Sequence, residues 1–82
     1  MYKQFVDVAC AHYSDGTVRP LRIRWPDGRT FGITRTLHVA APVDHEYEGT
    51  RYTVLIGNKE RYMYRVGSRW YVRVVSSKED ND

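Results

Sequence analysis

The sequence predicts an all-β domain, either a small SH3-like barrel or an orthogonal sandwich, made of two three-stranded meanders. Three observations carry that prediction. Apolar and polar residues alternate through most of the chain, dipeptides suited to hairpin turns separate the alternating runs, and no stretch repeats its apolar residues at helical spacing.

The stretch 51–75, RYTVLIGNKERYMYRVGSRWYVRVV, reads as three strands joined by two tight turns. Gly57-Asn58 and Gly67-Ser68 put glycine first, where two-residue loops of the primed types need a positive φ. Loops of that length oppose Tyr52 to Met63, Val54 to Arg61, Met63 to Val72, Tyr62 to Arg73 and Tyr64 to Tyr71. One face then gathers Tyr52, Val54, Ile56, Met63, Trp70, Val72 and Val74. The other gathers Thr53, Tyr62, Tyr64, Arg69, Tyr71 and Arg73. The first has the composition of a core and the second that of a solvated surface, so Trp70 is expected inside and Tyr64 outside. The competing register, a three-residue second loop, would turn Tyr62 and Tyr64 inward and Met63 outward.

Residues 3–13 alternate with Val6, Val8, Cys10 and His12 on one side, a strand signal. Asp15-Gly16 suits a type I′ turn, which would set Leu21, Ile23 and Trp25 opposite Cys10, Val8 and Val6, and Asp7 opposite Arg24 as an exposed ion pair. Pro20 has no amide hydrogen and so belongs at a bulge or on a side without a partner. Pro26-Asp27-Gly28 fits a three-residue loop that sets Trp25 against Arg29, Ile23 against Phe31 and Leu21 against Ile33. The alternation then runs through Phe31, Ile33, Leu37 and Val39, too long for one strand of so small a domain, and a bend near Gly32 or Arg35 would carry it from one sheet to the other. Residues 40–49 lose the alternation and read as the one long loop. The expected core is Val6, Val8, Cys10, Leu21, Ile23, Trp25, Phe31, Ile33, Leu37, Val39, Val54, Ile56, Met63, Trp70, Val72 and Val74. A single β domain is expected over 1–76, with a disordered acidic tail at 77–82.

Eighty-two residues bury only about 60% of the surface that the unfolded chain exposes, so the stability margin should be thin. No apolar run approaches the roughly 20 residues of a membrane span and the chain opens without a charged-then-apolar leader. With a single cysteine, Cys10, a cytoplasmic location and no membrane partner are expected. The formal charge is +3, but residues 1–76 hold twelve basic against seven acidic residues, a net +5, and ten of all thirteen basic residues are arginine. Arginine grips phosphate and stacks on rings, which permits a polyanionic partner; codon usage in a GC-rich genome would give the same bias.

The most distinctive surface expected is the tyrosine and arginine face of the last meander: Tyr62, Tyr64, Arg69, Tyr71 and Arg73. Rings interleaved with guanidiniums suit single-stranded nucleic acid, where bases stack and arginine neutralises phosphate. Solvated sheet faces carry both residue types for ordinary reasons as well. The expectation is a non-catalytic module binding nucleic acid or protein through these side chains. A protein-interaction or structural domain acting as a homodimer is the alternative. No cofactor or metal is expected, because Cys10, His12, His38 and His45 lack the paired spacing of metal ligands. Nor is an enzyme: Asp44, His45 and Glu46 share a loop, but nothing in the sequence orients them toward a nucleophile.

IRWPDGRTFGITRTL, residues 23–37, together with RYTVLIGNKERYMYRVGSRWYV, resembles small uncharacterised bacterial β-domain proteins. The shared features are a Trp before a Gly-Arg hairpin, an Ile-x-Arg-x-Leu strand, an Arg-Tyr-Thr strand start and a late Arg-Trp. The resemblance implies a compact β domain in a bacterial cytoplasm and brings no activity, cofactor or binding residue with it.

Overall fold

A computed structural model describes residues 1–42 and 46–75 and is all-β and barrel-like. Its strands are β1 (Tyr2–His12), β2 (Val18–Arg24), β3 (Thr30–Gly32), β4 (Arg35–Ala40), β5 (Thr50–Ile56), β6 (Lys59–Val66) and β7 (Arg69–Val74). The proposed tail at 77–82, and Asp44 and His45 of the loop, lie outside the described residues. Among those residues no helix is long and apolar enough to cross a membrane.

All pairings are antiparallel, in the order β3-β2-β1-β7-β6-β5-β4. Both expected meanders are present, and β1 joins them. Its first half pairs with β7, from Tyr2↔Val74 to Val6↔Trp70, and its second half pairs with β2 from Asp7↔Arg24 onward. The run 30–40 is shared in the same way. The Ile33 amide donates to the Leu21 carbonyl next to β3, and the adjacent Thr34 amide donates to the Leu55 carbonyl of β5, both at 2.8 Å. The expected crossing therefore occurs between Gly32 and Arg35, and it curls a single sheet onto itself.

The last meander keeps the two-residue loops: Ile56 pairs with Lys59, Val66 with Arg69, and Tyr64 with Tyr71. The first meander departs from expectation and then returns to it. Tyr13 and Thr17 close a three-residue loop, with Gly16 at φ 91°, in place of a type I′ turn. The Asp15 carboxylate makes the difference by accepting the Thr17 amide at 2.9 Å, an Asx-type closure. The pairing is thereby shifted by one residue as far as Cys10↔Pro20, and it recovers at Ala9↔Arg22 because Leu21 is left over as a bulge. Pro20 is fully buried there, while Leu21 is 41% exposed instead of facing Cys10 in the core. The Asp7–Arg24 ion pair forms at 2.9 Å with both side chains exposed, where it contributes little.

A second bulge corrects β4. Thr36 pairs with Val54 and His38 with Thr53, so Leu37 is the extra residue and the single-face alternation fails. Val39 stands opposite Tyr52 but on an edge strand, and is 49% exposed. The main core consists of Val6, Ile23, Ile33, Tyr52, Val54, Met63 and Trp70, with Val8, Cys10, Trp25, Ile56 and Val72 packed beside it. Tyr52 and Trp70 meet at 4.8 Å between ring centroids.

Tyr64 overturns the expected contrast with Trp70. Its register is the expected one, yet it is 3% exposed, because a second cluster of Tyr47, Tyr64 and Tyr71, flanked by Phe5 and Val66, fills the opposite face of the sheet. Both Trp70→Ala and Tyr64→Ala should therefore cost about 3–5 kcal/mol in urea denaturation. A loss of about 1 kcal/mol or less for Tyr64→Ala would mean that the second cluster contributes nothing.

Candidate binding groove

On the outer face β1, β7 and β6 bring Phe5, Tyr71 and Tyr64 into one row. Tyr64 and Tyr71 stack at 4.8 Å with planes 11° apart, and Phe5 lies 5.7 Å from Tyr71. The segment 46–49 straps across this row. Tyr47 packs on Tyr64 at 5.2 Å and donates its hydroxyl to the Ala40 carbonyl at 3.1 Å. The Tyr71 hydroxyl donates to the Glu48 carbonyl, and the Arg73 guanidinium to the Glu46 carbonyl, both at 2.7 Å. Lys3 pairs with the Glu48 carboxylate. Buried tyrosine hydroxyls need such partners, and strap carbonyls need donors, so each satisfies the other.

Of the five residues expected to form a binding surface, the structure thus removes two. Tyr71 is 0% and Tyr64 3% exposed; Tyr62, Arg69 and Arg73 remain on the surface. The arginines serve the rings from their margins. Arg73 lies 5.0 Å from the Tyr64 centroid, Arg51 lies 4.6 Å from Tyr62 and 5.1 Å from Tyr47, and Arg69 covers Phe5 at 3.8 Å. Burial raises the Tyr64 hydroxyl pKa above its ordinary value of 10.0, while Arg73 and Arg51 draw it partly back. With the folded value raised, Tyr64 supports folding fully below about pH 10 and loses that contribution as pH climbs through the raised value.

The open surface lies at one end of the curled sheet. β3 is only three residues long and pairs with β2, so the seam toward the β5–β6 hairpin stays unzipped beyond Leu55. A groove of about 820 Å³ lies at this end, where β6 and β7 also part beyond Tyr64↔Tyr71, and Ile23, Trp25, Phe31, Ile56, Met63, Val72 and Val74 line it. Arg51, Lys59, Arg61, Tyr62 and Arg73 also line it, against Glu60 as the single acid among the described residues. Phe31 is 37% and Tyr62 52% exposed. Arg29 sits 5.9 Å from the Trp25 ring and 6.0 Å from Phe31, held by a 2.7 Å contact to Asp27. Three expected site residues, Tyr62, Tyr64 and Arg73, line this groove, Tyr64 with only a sliver of its surface; Arg69 and Tyr71 do not.

The sequence placed Trp25 and Phe31 in the core and gave Arg51, Lys59 and Arg61 no role. Trp25, Phe31, Lys59 and Arg61 share a position near the Pro26-Asp27-Gly28 and Gly57-Asn58 turns, whereas Arg51 stands at the opposite end of β5. Cys10 is half-buried beside the core, and burial raises its thiol pKa against a lowering effect of Arg65, which makes it a poor nucleophile at neutral pH. Comparisons with protein-family models, curated proteins and solved structures find no match. The functional argument therefore rests on geometry.

The strap ends at Gly49, whose φ is +87° and where a Cβ would lie 2.2 Å from the Arg65 carbonyl oxygen. Gly49→Ala should cost about 3 kcal/mol or more, since neither the conformation nor the backbone contact can give way. Gly57→Ala, with φ +65° but open space around it, should cost about 1 kcal/mol. Equal losses in urea denaturation would show that the strap is not pressed against β6.

Proposed function

We propose that this chain is a non-catalytic binding module for single-stranded nucleic acid, which it takes into the groove between β3 and the β5–β6 hairpin. The observation that carries this reading is the combination of apolar side chains, exposed rings at Phe31 and Tyr62, and four basic side chains against one acid among the described residues of the lining. Bases stack on accessible rings whatever their identity, and guanidiniums and ammoniums follow the phosphates. The net +5 of residues 1–76 favours the same partner through long-range attraction. Tyr62, Arg73, Arg61 and Lys59 are the contacts proposed, with Arg51 holding the Tyr62 ring. Tyr64 and Tyr71 act indirectly, by supporting the sheet face from which Tyr62 and Arg73 project.

Fluorescence anisotropy with a labelled oligothymidylate tests the proposal. Binding should be measurable at 50 mM salt with micromolar protein, and log K should fall against log salt with a slope of about −0.7 for each phosphate contacted. Tyr62→Ala, on an exposed ring, should weaken binding by about 1–3 kcal/mol and leave the fold intact. No binding at 50 mM salt would overturn the proposal. A partner captured with affinity indifferent to salt but lost in Tyr62→Ala would be a protein instead.

A further inference from the structure

We propose that the groove reads the Watson–Crick edges of single-stranded bases with main-chain groups of β6 that are left unpaired where β6 and β7 part. This rests on the nucleic-acid reading and adds how a base is held. In a two-residue hairpin the residues flanking the loop exchange both main-chain bonds, and the direction of bonding then alternates along each strand. The pair Ile56↔Lys59 turns the amides and carbonyls of Lys59, Arg61 and Met63 toward β5. Independently, Val66↔Arg69 turns those of Val66, Tyr64, Tyr62 and Glu60 toward β7, and the two hairpins agree. Tyr71 answers Tyr64, but the pairing stops there. The main chains of Glu60 and Tyr62 therefore have no strand partner among the described residues.

Two further observations locate the opening. Residues 59–64 and 72–75 all line the groove, although successive side chains of a strand stand on opposite faces of the sheet. One groove can touch both sets only where it runs between the strands. The Arg61 guanidinium also donates to the Glu60 carbonyl at 3.3 Å, an exposed contact that agrees with a carbonyl turned out of the β5 ladder and leaves it a second lone pair. Tyr62 completes the site. Arg51, on β5, covers its ring at 4.6 Å, so the uncovered face of a ring that is 52% exposed looks across the opening. A base stacked on that face brings its edge to the Glu60 carbonyl and the Tyr62 amide, an acceptor beside a donor. Every base carries a neighbouring donor and acceptor on its Watson–Crick edge, and thymine offers N3–H and O4. A duplex has these edges occupied and is excluded. Arg73, across the opening on β7, is left for the phosphate.

Anisotropy at 50 mM salt with oligothymidylate and with its N3-methylthymidine counterpart, which keeps phosphates and rings but replaces N3–H by a methyl, tests the edge reading. The methylated strand should bind about tenfold or more weakly. Equal affinities would overturn the inference and leave the nucleic-acid reading standing, whereas no binding of either strand would overturn both. Amide hydrogen exchange checks the protein's side. In the free protein the Tyr62 amide should exchange fast and the Met63 amide slowly, and oligothymidylate should slow Tyr62 about tenfold or more. An unchanged Tyr62 rate in the complex would overturn the inference. So would protection of Tyr62 that needs no oligonucleotide and grows with protein concentration, which would assign the opening to a second copy. Glu60→Pro removes an amide that faces the opening and Arg61→Pro one bonded to β5, so only the second should lower the urea midpoint markedly. Equal drops would mean that β6 does not turn these groups into the opening, and would overturn the inference as well.

Discussion

Ile33 and Thr34 send neighbouring amides to opposite ends of the sheet, one to Leu21 on β2 and the other to Leu55 on β5. Two strands four places apart in the sheet order are thereby tied to consecutive residues, and the only way to satisfy both is to curl the intervening strands round. The curl encloses Val6, Ile23, Ile33, Tyr52, Val54, Met63 and Trp70 on the concave side. A flat sheet of the same strands would leave that apolar face wet, which a chain of 82 residues has little margin to tolerate. β1 makes the second corner, passing from β7 to β2 between Val6 and Asp7.

The same constraint explains where the surface is open and where it is shut. Because the tie is made at Leu55, Ile56 and the short β3 are left apart, and the groove lies at that end, where β6 and β7 also part beyond Tyr64↔Tyr71. On the convex side the row of Phe5, Tyr71 and Tyr64 is too apolar to stand bare. The strap at 46–49 covers it and uses the two tyrosine hydroxyls and Arg73 to satisfy carbonyls of Ala40, Glu48 and Glu46. The last two strands accordingly bury side chains on both faces: Trp70 on one, Tyr71 on the other.

Local rules made much of the fold legible. Glycine at 57 and 67 set the loop lengths, and with them the register of the last meander, although β6 and β7 pair only from Val66↔Arg69 to Tyr64↔Tyr71 and the expected pairs Met63–Val72 and Tyr62–Arg73 are not made. In the first meander the expected Asp7–Arg24 pair formed although the turn was of another type, because the added loop residue at Ser14-Asp15-Gly16 was cancelled by the bulge at Leu21. An Asx closure by Asp15 and the missing amide of Pro20 are local signals, but their cancellation becomes visible only once both strands are aligned. Tyr64 and Tyr71 were harder. Nothing in their own strands distinguishes a tyrosine bound for solvent from one bound for a strap, since the covering residue, Tyr47, comes from a loop some seventeen positions away from Tyr64 without any periodic pattern. The groove was hidden for the converse reason: Phe31 alternates like a core residue and is exposed only because no strand follows on its outer side.

The central claim is that the tyrosines divide by the strap and the sheet, leaving Tyr62 as the ring presented beside the arginines. Brief nitration of the native protein with tetranitromethane, mapped by mass spectrometry, tests this on all seven tyrosines at once. Tyr2, Tyr13 and Tyr62 are exposed and should react, whereas Tyr47, Tyr52, Tyr64 and Tyr71 are buried and should be protected until denaturant is added. Native-state modification of Tyr64 and Tyr71 at the rate of Tyr62 would contradict the account, for it would mean that the strap does not close the face on which they stand.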